Sequence, residues 1–278
     1  MRIVGESLRD AAGTRHKRAG PGARIVSLVP SITELVCDLG LAGQLVGRTG
    51  FCVHPREQLR AIPKLGGTKD VDIAALRALA PSHVILNIDE NEKSLATALE
   101  QFVPHLVVTH PLGPLDNPPL YRLIGGIFGR ETEAEALCRR FDATLERLQA
   151  GQDGIVPERI LYLIWKRPWM TVSRDTYISN TLALVNWTTL PLESAPRYPA
   201  LNLDEAWLDD IDRVLLSSEP YRFTEKHCAE LRAIPALAGK PVQLIDGEMT
   251  SWYGSRAIAG LDYLAAFRLN LQQRPLTG

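Results

Sequence analysis

The sequence has no C-x-x-C pair. Its four cysteines, Cys37, Cys52, Cys138 and Cys228, lie far apart along 278 residues, so their spacing offers neither a zinc cluster nor a redox pair, and each is read as a free thiol. No apolar run approaches the ~18 to 20 residues that cross a bilayer, which excludes a membrane-spanning helix. Charge of either sign is not in excess: 31 Lys and Arg face 32 Asp and Glu. No field is available to gather nucleic acid, and none is expected as a partner. Catalytic signatures are missing too, with no H-E-x-x-H, no Walker G-x-x-x-x-G-K-[ST], no G-x-G-x-x-G after a strand and no G-x-S-x-G. The stretch LGGTK at 65–69 reads as a Gly-rich turn. Before Arg24 the chain is basic at Arg15, Lys17 and Arg18 without an apolar run to serve as an export signal. The chain as given is therefore expected in the cytoplasm, or in the periplasm if a signal preceded it.

What is present is an ordinary apolar share of 45% and a length that suits two compact lobes at roughly 150 residues per domain. Short β-branched runs alternate with helical patterns, the rhythm of α/β lobes with parallel sheets flanked by helices. The first-half strands are expected at 24–29, 44–48, 83–87 and 105–109, the second-half strands at 159–165, 213–217 and 241–246. Ser31 and Glu34 have the spacing of a capping box, and Gly40 is placed to end that helix. The four prolines of HPLGPLDNPP at 110–119 predict a loop, with a helix from Tyr121. Ala134, Leu137, Phe141, Leu145 and Leu148 recur at three and four residues and predict one long amphipathic helix. The resulting division is an N-terminal lobe at 1–128, a connecting helix at 129–151 and a C-terminal lobe at 152–278, with further helices near 177–187, 224–232 and 255–271. DIAALRALAPSHVILN and LDEAWLDDIDRVLLSS form a weak internal echo, each running from an acidic helix start into a strand.

In open α/β sheets ligands collect beyond the C-terminal ends of the strands. The loops to examine are Pro30-Ser31, TGFCVHP at 49–55 and 87–91 in the first lobe, and KRPWMTVS at 166–173, SSEPYRF at 217–223 and DGEMTSWYGSR at 246–256 in the second. All five tryptophans follow residue 160, and Trp165, Trp169 and Trp252 fall in or beside these loops with Lys166, Arg167 and Arg256. Flat rings beside cations suit a bulky ligand with acidic or amide edges; equally, Trp165 and Trp252 could be core rings with locally bonded N–H groups. Cys52 with His54, or His105 with His110, could ligate a metal, but such pairs arise readily by chance in loops. Asp89, Glu90, Asp246 and Glu248 could do paired acid–base work, or could cap helices and fix turns. His227, amid polar neighbours, reads as a surface residue.

The stretches RIVSLVPSITELVCDLG, VGRTGFCVHP and GGTKDVDIAALRALAPSHVI resemble the helical-backbone periplasmic binding proteins. These are the substrate-binding proteins of ABC transporters for cobalamin, haem and ferric siderophores, and the likeness is strongest to the cobalamin-binding branch. It extends from about Arg24 to the C-terminal helix, and DAAGTRH at 10–16 is similar to that family's first hairpin strand. It implies two lobes joined by one rigid helix that limits closure, with the ligand in the cleft between them. It also implies a ligand surface at Pro30, Ser31, Phe51, Cys52, Trp165, Arg167, Trp169, Tyr221, Trp252 and Tyr253. Family members dock on their permease through one acid per lobe; the matching positions here are Ala74, which cannot pair, and Asp204, which can. The sequence lacks the D-x-H-x-x-G pattern with which corrinoid enzymes supply an axial histidine, so catalysis and a built-in cofactor or metal are not expected. The expectation is a monomeric solute-binding protein for cobalamin, another corrinoid or a related metal chelate. The alternatives are a ferric siderophore or haem binder, or a cytoplasmic corrinoid-processing enzyme (using Asp246, Glu248 or Glu90) or scaffold on the same fold.

Overall fold

A computed structural model describes residues 8–193 and 195–273. Among these the chain divides into two units, one made of 8–111, 115–141 and 253–256, the other of 112–114, 142–252 and 257–273.

The first unit is built on strands β1 (Ile25–Ser27), β2 (Leu45–Arg48), β3 (His83–Asn87) and β4 (His105–Thr109), in the order β2-β1-β3-β4 and all parallel. Every residue of β1 and β3 is buried, the behaviour of a parallel strand covered on both faces, which is why these strands read as unbroken apolar runs. The connecting helices are α1 (Pro30–Asp38), α2 (Arg56–Leu59), α3 (Ile73–Ala78), α4 (Lys93–Glu100), α5 (Asn117–Phe128) and α6 (Glu131–Ala150). Val26, Leu28, Val84, Leu86, Leu76 and Leu99 form the core under α3 and α4. Asp72 caps α3 by accepting the Ala75 N–H at 2.9 Å. The 10–16 segment makes a small hairpin through an antiparallel bridge from Arg9 to Arg15.

Two local expectations are corrected. The Ser31–Glu34 capping box does not form: α1 starts at Pro30, whose fixed φ suits the first helical position, and the extended Val29 caps it without a side-chain bond. Glu34 instead accepts two hydrogen bonds from Arg256, at 2.7 and 2.8 Å. The proline-rich loop is shorter than expected, because Pro118 and Pro119 lie in the first turn of α5, where backbone N–H groups have no helical acceptor to lose. Gly40, at φ +74°, and Gly129, at φ +68°, follow the ends of α1 and α5 in the left-handed region. The long helix α6 appears as expected, although its residues to 141 group with the first unit and those from 142 with the second.

The second unit contains β5 (Glu158–Trp165), β6 (Trp169–Thr171), β7 (Trp187–Thr189), β8 (Ala200–Leu201), β9 (Arg213–Ser217) and β10 (Val242–Ile245). Its helices are α7 (Tyr177–Ala183), α8 (Glu225–Arg232), α9 (Gly247–Ser251) and α10 (Arg256–Gln273), the last beginning at a residue of the first unit. The sheet order is β10-β9-β5-β6-β8, with β7 also on β5. This sheet is mixed: β6 runs antiparallel to β5 and β8 antiparallel to β6. The stretch at 166–173 expected as a loop is thus a tight hairpin ending in a strand. Trp187, expected in a helix, opens β7 after Asn186 turns the chain at φ +58°. The echo segment before β9 is a short 3-10 turn at Ala206–Asp210 and not a full α-helix. Away from the strand ends, Glu158 accepts hydrogen bonds from Arg213, Arg268 and the Trp187 indole, tying β5, β7, β9 and α10 together.

Candidate functional site

In the second unit β5 and β9 are parallel neighbours, so the chain beyond each emerges on the same edge of the sheet. Trp165 ends β5 with 40% of its surface exposed. Its ring meets Tyr221 edge to face at 5.5 Å, Tyr221 meets Phe223 at 4.7 Å, and Phe223 stacks on Trp169 at 6.0 Å and 5°. Lys166 Nζ lies 5.3 Å from the Trp169 ring centroid and 2.5 Å from Glu230 Oε2. Hydrogen bonding to Lys166 holds the Glu230 carboxyl below its ordinary range. Exposed Arg167 takes φ +69° at the hairpin tip, a left-handed conformation that costs a non-glycine residue roughly 1–3 kcal/mol. Four of the expected residues, Trp165, Arg167, Trp169 and Tyr221, thus come together as one aromatic and cationic surface.

Trp252 is different: it is 9% exposed, and its indole N–H donates to Glu219 Oε1 at 2.6 Å. Ser251 donates to the same oxygen at 3.0 Å. Burial raises the Glu219 carboxyl despite those bonds, with the Glu248 and Asp246 charges adding to the rise. Asp246 caps α9, accepting the Met249 N–H at 3.3 Å, which accords with the helix-capping reading of this acid.

In the first unit Phe51 is 61% exposed at the mouth of an open concavity of about 440 Å³, shared with Gly50, Lys64, Gly66, Gly67 and Asp70. A Cβ on Gly67 would meet Asp70 Oδ1 at 2.2 Å and the Phe51 ring at 3.2 Å, so the ring lies against glycine backbone. Cys52, expected on the ligand surface, is corrected: it is 0% exposed, and its thiol sits 3.0 Å from Thr33 Oγ1 and 3.1 Å from Thr49 Oγ1. Burial raises this thiol further than those bonds and the Arg48 charge lower it. Pro30 is half-buried and Ser31 buried in the first turn of α1. Tyr253 groups with this unit, and its hydroxyl donates to Glu90 Oε1 at 2.6 Å. Burial pushes that phenol well up, and the Glu90 charge pushes it further. Asp89 faces His110 at 3.5 Å, so both loop acids have local partners.

Among the described residues no group of three or more His, Cys, Asp or Glu is arranged to hold a metal ion. His105 meets His83 at a tilt of 30°, with ring centroids 4.7 Å apart. All four cysteines are buried free thiols. No helix among the described residues is long and apolar enough to cross a membrane. Ala74 on α3 and Asp204 in the turn after β8 are both exposed. The sequence reading missed His227, which contacts this aromatic cluster, and Phe223, which is 4% exposed and backs Trp169 and Tyr221 from the core. The Thr-x-x-His spacing at 224–227 was the available signal, since it places a ring where a capping box usually has Glu or Gln.

The chain is 22% identical over 253 residues to the vitamin B12-binding protein of Vibrio campbellii, covering 86% of each. Its fold superposes on the periplasmic vitamin B12 binding protein BtuF of Vibrio cholerae with a TM-score of 0.77 at 16% identity, covering 91% of this chain and 99% of that one. It superposes on the periplasmic heme-binding protein RhuT of Roseiflexus sp. RS-1 with a TM-score of 0.76 at 19% identity, covering 91% and 100%. The periplasmic binding protein model matches residues 25–190, and the chain belongs to that family.

Proposed function

We propose that the protein binds a corrinoid or a related metal chelate as a solute-binding protein, and that it is not an enzyme. The observation that carries this reading is the surface made by Trp165, Tyr221 and Trp169, backed by the buried Phe223, with Lys166 and Arg167 beside them. Flat rings recognise the face of a macrocycle, while the cations and the phenol meet its amide or carboxylate edges. Phe51 on its glycine backing offers a second flat apolar surface in the first unit. The vitamin B12-binding relatives support a corrinoid as the leading ligand, and the heme-binding relative keeps haem as the alternative. The loop acids argue against catalysis, because Asp246 caps a helix and Glu90 is tied to Tyr253. The protein needs no resident cofactor for this role; the chelate is its cargo.

The partner is an ABC transporter permease in this reading, with Asp204 as the exposed docking acid and Ala74 contributing none. The periplasmic residence of the two solved relatives favours the periplasmic alternative over the cytoplasmic one.

Titration of the intrinsic tryptophan fluorescence with aquocobalamin, cobinamide and hemin tests the proposal, since each chromophore quenches a nearby indole. Saturable one-to-one quenching that is weakened in Trp165→Ala is expected. Strictly linear, non-saturating quenching by all three overturns it. Arg167→Ala should weaken hemin, with its carboxylates, more than the amide-edged cobinamide; equal losses contradict a charge role for Arg167.

A further inference from the structure

His227 occupies the third position of α8, and its Nδ1 accepts the Thr224 backbone N–H at 3.0 Å, with the Thr224 hydroxyl also 3.0 Å away. A ring nitrogen that accepts from a backbone N–H carries no proton, so the proton of the neutral imidazole sits on Nε2. That nitrogen lies 3.3 Å from Tyr221 Oη. The imidazole plane is fixed by edge contacts with Tyr221 at 5.5 Å and Phe223 at 5.4 Å. The direction of the chain of bonds follows: Thr224 N–H donates to His227, and His227 Nε2–H donates to Tyr221. Tyr221 Oη is thereby an acceptor toward His227, and its own hydroxyl proton is left to be donated elsewhere.

We infer that His227 is a positioning residue that turns Tyr221 into a hydrogen-bond donor toward an acceptor on the bound chelate, an amide carbonyl or a carboxylate at its edge. This rests on the reading of the aromatic loops as the chelate-binding surface. It accounts for a histidine at a position where Glu would cap the helix equally well but would offer Tyr221 no proton. Donors linked in series also polarise one another, which strengthens the last bond of the chain. The bonds of the relay, from Thr224 to His227 and from His227 to Tyr221, pass through no charged side chain of the surrounding loops or helix.

Two measurements test this. In the ligand-free protein, long-range nitrogen–proton NMR of the His227 ring should show the proton on Nε2; a proton on Nδ1 overturns the inference whatever the protein binds. Affinity for aquocobalamin is then compared across wild type, His227→Glu, Tyr221→Phe and the double variant. Each single change is expected to weaken binding about three- to tenfold, the worth of one hydrogen bond, at an unchanged thermal midpoint, and the double variant to be no weaker than either. Unchanged affinity in His227→Glu, or losses that multiply in the double variant, overturns the positioning role alone. A wild-type protein that binds neither aquocobalamin nor hemin overturns the reading on which the role rests, with the tautomer result still standing as a separate observation.

Discussion

Trp165 and Trp252 have the same chemistry and opposite situations. Trp165 is 40% exposed at a strand end, whereas Trp252 is 9% exposed with its N–H on Glu219. Replacing Trp165 by Ala should therefore weaken corrinoid binding by about 1 to 3 kcal/mol with little change in stability. Trp252→Ala should instead lower the thermal midpoint, because it opens a buried volume and removes a donor from a buried carboxylate. Equal midpoints for the two variants would contradict this division. The sequence placed both rings beside ligand loops and left open whether either was core. The difference arises from Glu219, 33 positions before Trp252, and no local spacing announces a partner at that distance. Cys52 was misplaced for a related reason, since Thr33 and Thr49 close over its thiol only once β1 and β2 are paired.

Among the elements, β3 was read to the residue because a doubly covered parallel strand is an unbroken apolar run, whereas β4, an edge strand and only partly buried, was read from its β-branched run. β6 and β7 span three residues each, too short for any periodicity, and their place in the sheet is set by β5 through pairing.

Two predictions belong at this scale. His83 opens β3, packed against His105 and Phe128. Burial, with His105 and His16 adding repulsion, lowers its imidazole from 6.5 to about 4. The folded state therefore keeps this ring neutral where the unfolded chain protonates it. The stabilisation is complete above pH ~6.5 and is lost as pH falls toward ~4, by about 3 kcal/mol at ~1.4 kcal/mol per unit. Urea unfolding of wild type and His83→Gln at pH 7 and pH 4.5 should show the steeper loss in wild type; parallel losses would contradict it.

Glu158 is the second case. Burial alone would raise its carboxyl, but hydrogen bonds from Arg213 and Trp187 and the charges of Arg213 and Arg268 outweigh burial and hold it low. Glu158→Gln leaves two buried guanidinium groups without an opposing carboxylate and should destabilise the fold by about 3 to 5 kcal/mol. A loss below about 1 kcal/mol would show that the network is dispensable.

For the whole molecule, the architecture was legible in advance: two α/β sheets, a long amphipathic helix, and loops after strands as the places for chemistry. The family likeness followed from motifs within residues 24–85, and the family match at 25–190 takes in that stretch and extends well beyond it. The composition of the binding surface was legible only in part. Tryptophans and cations beside strand ends stand out in a sequence, but Phe223 and His227 join the cluster through the adjacency of β5 and β9. That adjacency is a property of sheet order and not of spacing. The chemical identity of the cargo is likewise a property of the assembled surface. The most direct measurement is an absorbance spectrum of the purified protein after incubation with aquocobalamin, cobinamide or hemin and removal of free ligand by gel filtration. The account predicts chromophore bands retained at near one equivalent for at least one of the three, with a corrinoid foremost; a colourless protein with all of them would contradict it.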